Sequence, residues 1–186
     1  MGPLRDSAGA WGSVSKSFHW GSALLILAQF PLGWVAVHWP LSPTDITLYT
    51  WHKSLGLLIL LLTCLRMGWR CISASPQLPA PTTAWERAIA RAGHRALYIL
   101  ILALSVSGWA IASSSHVPFK VFWAFALPPI TPPDHALEQA MKHAHVWLAA
   151  ILGGALTVHI AAAFWHHFAR RDNVLSRMLP GRGDPS

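Results

Sequence analysis

The apolar positions of the chain gather into four long runs separated by shorter polar, proline-marked segments. A bilayer core about 30 Å thick needs about 20 mostly apolar residues to be crossed as a helix. Four stretches meet that length: 18–39 (FHWGSALLILAQFPLGWVAVHW), 48–70, 94–113 and 143–168. Pro31 and Gly33 lie inside the first, where neighbouring helices make a kink tolerable. Between the runs lie a short turn (40–47), a Pro-rich connection (75–83) and a longer Pro-rich loop (114–142). That loop contains PPITPP and a short stretch, VFWAF, with room for an amphipathic segment. No internal repeat or low-complexity tract is visible. The pattern predicts an all-α, integral membrane four-helix bundle, a single membrane domain over residues 1–186. The first seventeen residues are polar and the run after them is long enough to span, so no cleavable signal peptide is expected.

Composition supports the membrane reading. The chain is 53% hydrophobic and 11% charged, against roughly 25% charged in a soluble domain. The net charge of +7 would suggest nucleic acid in a soluble protein, but the basic residues cluster at the ends of apolar runs. There, membrane orientation explains them, and no nucleic-acid partner is expected. Arg5, Lys16, Arg66, Arg70, Arg87, Arg91, Arg95, Arg170, Arg171, Arg177 and Arg182 fall on one side; the other has Lys53, Lys120 and Lys142. Eleven against three places both termini in the cytoplasm by the positive-inside rule. Cys64 and Cys71 lie seven residues apart on one helix, roughly 10 Å, too far for a disulfide.

Eleven histidines in so apolar a chain require a reason, because an ionisable residue inside a membrane is costly and faces a cavity, a cofactor or a partner. His145 and His159 are fourteen residues apart. At roughly 100° per residue they return to within about 40° of one face, and they lie about 21 Å apart along the axis. One face of the fourth helix thus carries two imidazoles near opposite membrane surfaces. A bis-histidine haem takes one axial nitrogen from each side, so each of these needs a partner on another helix. The first helix runs outward and begins with His19, at the depth of His159; the second runs back and begins with His52, at the depth of His145. The pattern proposes two haems b, one held by His52 and His145 near the outer surface, the other by His19 and His159 near the inner. Gly56, Gly153 and Gly154 allow close approach of rings and helices. His38 competes with His52 but sits beside Trp39 and Pro40 at the helix exit, which ranks it as interfacial. His143 points about 200° away from His145 and has no inner counterpart.

Arg66 lies fourteen residues after His52, on the same face at the inner depth, and Arg70 follows one turn later. A guanidinium there suits haem propionates, which it binds bidentately; the alternative is a snorkelling anchor, the more so for Arg70. His94, Arg95, His166 and His167 gather at the inner surface. They suit a quinone headgroup pocket or an ordinary polar interface. No nucleophile–base constellation, phosphate loop or CxxC–HxxxH spacing appears, and no catalytic residue is singled out.

SKSFHW, WHKSLGLLILLLTCLR, AGHRALYILILAL, HAHVWLAAILGGALTVHIAAAFWHHF and RDNVLSRMLP, in that order and spacing over about residues 14 to 180, resemble the bacterial cytochrome b561 family of small dihaem membrane proteins. The resemblance carries that family's axial ligands to His19, His52, His145 and His159, leaves the third helix without one, and gives His94 a place near the inner surface. It implies a multi-pass protein of the bacterial inner membrane that moves single electrons between a quinone pool, ubiquinone in particular, and a second redox partner. One activity it implies is superoxide oxidation coupled to quinone reduction, an oxidoreductase reaction. Cationic steering would favour superoxide, yet Lys53, Lys120 and Lys142 on the outer face are offset by Asp45, Asp134 and Glu138. Two alternatives stand beside the electron carrier. One is a cytochrome subunit anchoring a dehydrogenase or hydrogenase, and the other is a transition-metal transporter, for which the helices lack carboxylates and a midplane site.

Overall fold

In the computed structural model, residues 4–179 are described, apart from 8, 39, 41, 75, 77–81, 116 and 118. Four helices dominate: α1 (Ser13–His38), α2 (Pro43–Ile72), α3 (Ala84–Ser114) and α4 (His135–Trp165). All four are long and apolar enough to cross a membrane. α1 packs on α2, α2 on α3 and α3 on α4, an all-α membrane bundle as the runs require. At its centre Ile26, Ile59 and Leu152 are buried, with Phe30, Leu100, Ile101 and Leu104 packed around them. Leu24, Leu27, Trp34, Ile99, Val106, Val158 and Phe164 face outward, as they would toward lipid tails.

The helices start earlier than the apolar runs. α2 begins at Pro43 instead of 48, α3 at Ala84 instead of 94, and α4 at His135 instead of 143. The added turns carry more polar residues than the runs do, and those of α3 and α4 are held by caps, which hydropathy does not register. Thr83 and Glu86 form a capping box in which each side chain accepts from the other's backbone N–H. Asp134 accepts from the N–H groups of Ala136 and Leu137 at the start of α4. α1 begins at Ser13, five residues before the expected 18, and continues through Pro31. Trp39, most of the 75–83 connection and Arg182 lie outside the described residues.

The VFWAF stretch forms a small antiparallel hairpin, β1 (Lys120–Val121) paired with β2 (Phe125–Ala126), where an amphipathic segment was expected. Its turn places Phe122 and Trp123 at φ 47° and 60°, a region costly for bulky residues. The Phe122 N–H donates to Ser54 Oγ at 2.8 Å, and both aromatic rings meet Trp51 edge-on. α2 therefore holds the hairpin beside His52. At the opposite end the helix after Trp165 widens to a π-turn (His166–Arg170), which Arg171 closes at φ 54°. The following segment returns to α1, where Trp20 Nε1 donates to the Met178 carbonyl at 2.7 Å.

Candidate functional site

The bundle has a hairpin end and a terminal end, the latter being where α1 begins and α4 finishes. α2 and α4 bring His52 and His145 together at the hairpin end, their ring centroids 6.2 Å apart and their planes at 78°. α1 and α4 bring His19 and His159 together at the terminal end, with centroids 6.3 Å apart and planes at 72°. Fourteen residues of α4 separate the two pairs, about 21 Å of helix rise. Between them lies the apolar Ile26–Ile59–Leu152 cluster.

Close backbone approach makes room for the imidazoles of the hairpin-end pair. A Cβ on Gly33 would lie 2.7 Å from His52 Cε1, and one on Gly108 would lie 3.3 Å from His145 Cε1. His52 Nδ1 is buried with no hydrogen-bond partner among the described residues. The His52 carbonyl accepts from Gln29 Nε2 at 2.8 Å, which fixes α1 against α2 at this level. His145 Nδ1 lies 2.9 Å from Ser107 Oγ, and that hydroxyl is also 2.8 Å from the Leu104 carbonyl.

The terminal-end pair has charged company. Arg66 donates from a terminal guanidinium nitrogen to His19 Nδ1 at 3.2 Å, and its guanidinium also lies 5.5 Å from the Tyr98 ring. Its side chain is thus directed at the histidine pair and half-buried. Arg70 is exposed and lies over Trp11, its guanidinium 5.7 Å from that ring. The His94 ring stands 5.4 Å from that of His159, and its Nδ1 is 2.6 Å from the Ala90 carbonyl. His166 turns instead toward Asp172, Nδ1 to Oδ2 2.5 Å. Arg170 pairs with Glu86 and so ties the end of α4 to the start of α3. Of the terminal-end residues read from sequence, Arg66 and His94 adjoin the histidine pair, while the recorded contacts of Arg70 and His166 run to Trp11 and Asp172.

Among the described residues, the remaining histidines have ordinary partners or exposed positions. His38 stacks on Trp34 at 4.6 Å and is exposed; His143 is exposed. Ser107 is the residue that sequence reasoning passed over. On a helix with no ligand of its own, a serine reads as a small filler; the signal was its place beside Gly108 in SVSG, at the level of His145.

A family model described as "Prokaryotic cytochrome b561" matches residues 10–181. The chain belongs to that family. Among similar proteins are "Cytochrome b561 homolog 2" of Escherichia coli (strain K12), 34% identical over 176 residues, 91% of this chain and 90% of the relative. "Cytochrome b561 homolog 1" of the same organism is 27% identical over 168 residues, 88% and 93% of the two chains. "Probable superoxide oxidase CybB" of Yersinia pestis is 29% identical over 132 residues, 69% and 73%. As a cytochrome b561 of four spanning helices, the chain is a multi-pass bacterial membrane protein of electron transfer, and the family implies haem b.

The residues present fit that group. An imidazole–metal–imidazole sandwich with metal–nitrogen bonds of about 2 Å sets ring centroids roughly 6 Å apart, the spacing both pairs have. Among the described residues no three His, Cys, Asp or Glu side chains converge to hold a metal ion. Pairs of imidazoles suit an iron whose other ligands come from a macrocycle, and they do not complete a tetrahedral ion site.

Proposed function

We propose that this cytochrome b561 is a dihaem protein that carries single electrons across the inner membrane between ubiquinone and a one-electron partner at the outer face, superoxide being the leading candidate. The observation that carries the reading is the presence of two imidazole pairs of haem-ligand spacing, one at each end of a spanning bundle. The positive-inside bias assigns the terminal end to the cytoplasm and the hairpin end to the periplasm. In this reading His52 and His145 hold the outer haem, and His19 and His159 the inner. Haem b, when bound, supplies a one-electron iron couple whose potential the axial ligands and their hydrogen bonds adjust.

The protein's own groups do the rest. The four imidazoles act as neutral ligands and set the depth of each site. Arg66, aimed at His19, offers a planar fork for propionate carboxylates or a quinone oxygen. An Nε2 ligand carries its proton on Nδ1, which then has no lone pair for a donor, so Arg66 must leave that nitrogen when His19 ligates. That step frees the guanidinium for an anionic group. His94, next to His159, is the imidazole best placed to hydrogen-bond or protonate a quinone at the inner surface, with Arg70 and His166 at its margin. Lys53 stands 5.4 Å from the Phe119 ring and 5.8 Å from that of Tyr49, directly after His52. It brings a positive charge to the outer pair that favours a small anion. The name of the Yersinia pestis relative supports superoxide as that anion.

Stopped-flow mixing of the oxidised, haem-loaded protein with superoxide, followed at the haem absorbance, tests this. Reduction within the mixing timescale that is lost in Lys53→Glu is the expected result. No reduction would remove superoxide as the donor and leave a carrier with another partner.

A further inference from the structure

Resting on the haem reading above, we propose that Ser107 is a positioning residue of the outer site: its hydroxyl fixes the tautomer and orientation of His145, so that α3 shapes a haem site to which it gives no ligand. A hydroxyl has one proton to donate. Ser107 Oγ spends it on the Leu104 carbonyl, 2.8 Å away within its own helix. Toward His145 Nδ1, at 2.9 Å, the same oxygen can then only accept. An accepting oxygen at that distance requires the proton on Nδ1 and leaves Nε2 with its lone pair bare, the form in which an imidazole binds iron.

Packing adds to this. Ser107 is 6% exposed, so its geometry is set by the helices around it. Gly108 alongside offers a flat wall, since a Cβ there would stand 3.3 Å from His145 Cε1. Serine and glycine together make a socket one imidazole wide. Among the described residues, the other three histidines have no such arrangement. His52 Nδ1 is unpartnered among the described residues, His19 Nδ1 faces the donor Arg66, and His159 adjoins the rings of His19 and His94. The outer site thus has one ligand preset and one free to adjust.

A hydrogen bond from Nδ1–H makes the imidazole a stronger donor and favours the ferric form. Removing the Ser107 acceptor should raise the potential of the outer haem alone. The test is a redox titration of the haem-loaded protein, resolving its two midpoint potentials in wild type, Ser107→Ala and Ser107→Thr. His145→Ala, alone and combined with Ser107→Ala, identifies which haem responds. The expected result is one potential raised in Ser107→Ala, restored in Ser107→Thr, and no effect of Ser107→Ala on the haem that survives in His145→Ala. Two unchanged potentials in Ser107→Ala, or a shift in the surviving haem, would overturn the proposal. A wild type with fewer than two haems fails the haem reading instead. The His145 tautomer then decides Ser107 by itself, read from imidazole 15N shifts of the full chain before haem is added: Nδ1–H supports it and Nε2–H overturns it.

Discussion

At the scale of single residues, the hairpin-end pair depends on what is missing from Gly33 as much as on what His52 supplies. A methyl at position 33 would stand 2.7 Å from His52 Cε1, closer than two carbons approach, and a tight 3.1 Å from Nδ1. Because the neighbour is a ring already packed against α4, it cannot swing away without leaving His145. Gly33→Ala should therefore lose one of two haems and destabilise the protein by about 1–3 kcal/mol, the usual cost of overpacking. Gly68 is also helical but has nothing within 4 Å of its would-be Cβ. Gly68→Ala should keep both haems and gain about 0.5–1 kcal/mol from helix propensity. Haem quantification and thermal melting of the two variants check the pair, and equal behaviour would refute the steric argument. The histidine pairing was legible because helical phase and fourteen-residue spacing are properties of sequence alone. The Ser107 contact was not, because a hydroxyl's partner depends on which face α3 turns toward α4, and nothing in a stretch of Leu, Ala and Ser records that.

At the scale of elements, length was readable and limits were not. Hydropathy finds the part of a helix that lipid covers, whereas the first turns of α3 and α4 are polar and owe their start to Thr83, Glu86 and Asp134. Those residues are cap types in the sequence, but they are polar and lie outside the apolar runs that mark the spans. Thr83→Ala removes the hydroxyl that accepts from the Glu86 N–H, leaving the Glu86 carboxylate on the residue-83 backbone N–H, and should cost about 1 kcal/mol, seen as a lower melting temperature with haem content unchanged. An unaltered melting temperature would mean that the Glu86–Arg170 pair alone secures this helix start. The hairpin is harder to foresee. VFWAF carries none of the Gly or Asn that a turn with positive φ ordinarily uses. Its left-handed Phe122 and Trp123 are tolerated because Ser54 and Trp51 of α2 hold the turn from outside. A tertiary contact has here overridden local preference.

For the whole molecule, α4 is the common wall of both sites, and α1 and α2 each supply one partner to it. This division makes the two ends alike in spacing and different in surroundings. One pair sits beside Ser107, Gly33 and Gly108, while the other sits beside Arg66, Tyr98 and His94. In the proposed dihaem reading this difference would give the two haems distinct potentials within one small bundle, which would suit a chain that passes single electrons from one membrane face to the other. The depth of each pair followed from the sequence once the helices were ordered by direction. The contacts that distinguish the ends needed the packed structure. Everything rests on there being two haems held by these four histidines, and the haem-to-protein ratio of the purified chain tests that most directly. Two haems b per chain are expected, falling to one in His52→Ala or His19→Ala and to none in the double variant. One haem or none in the unaltered chain, or two retained in either single variant, would contradict it.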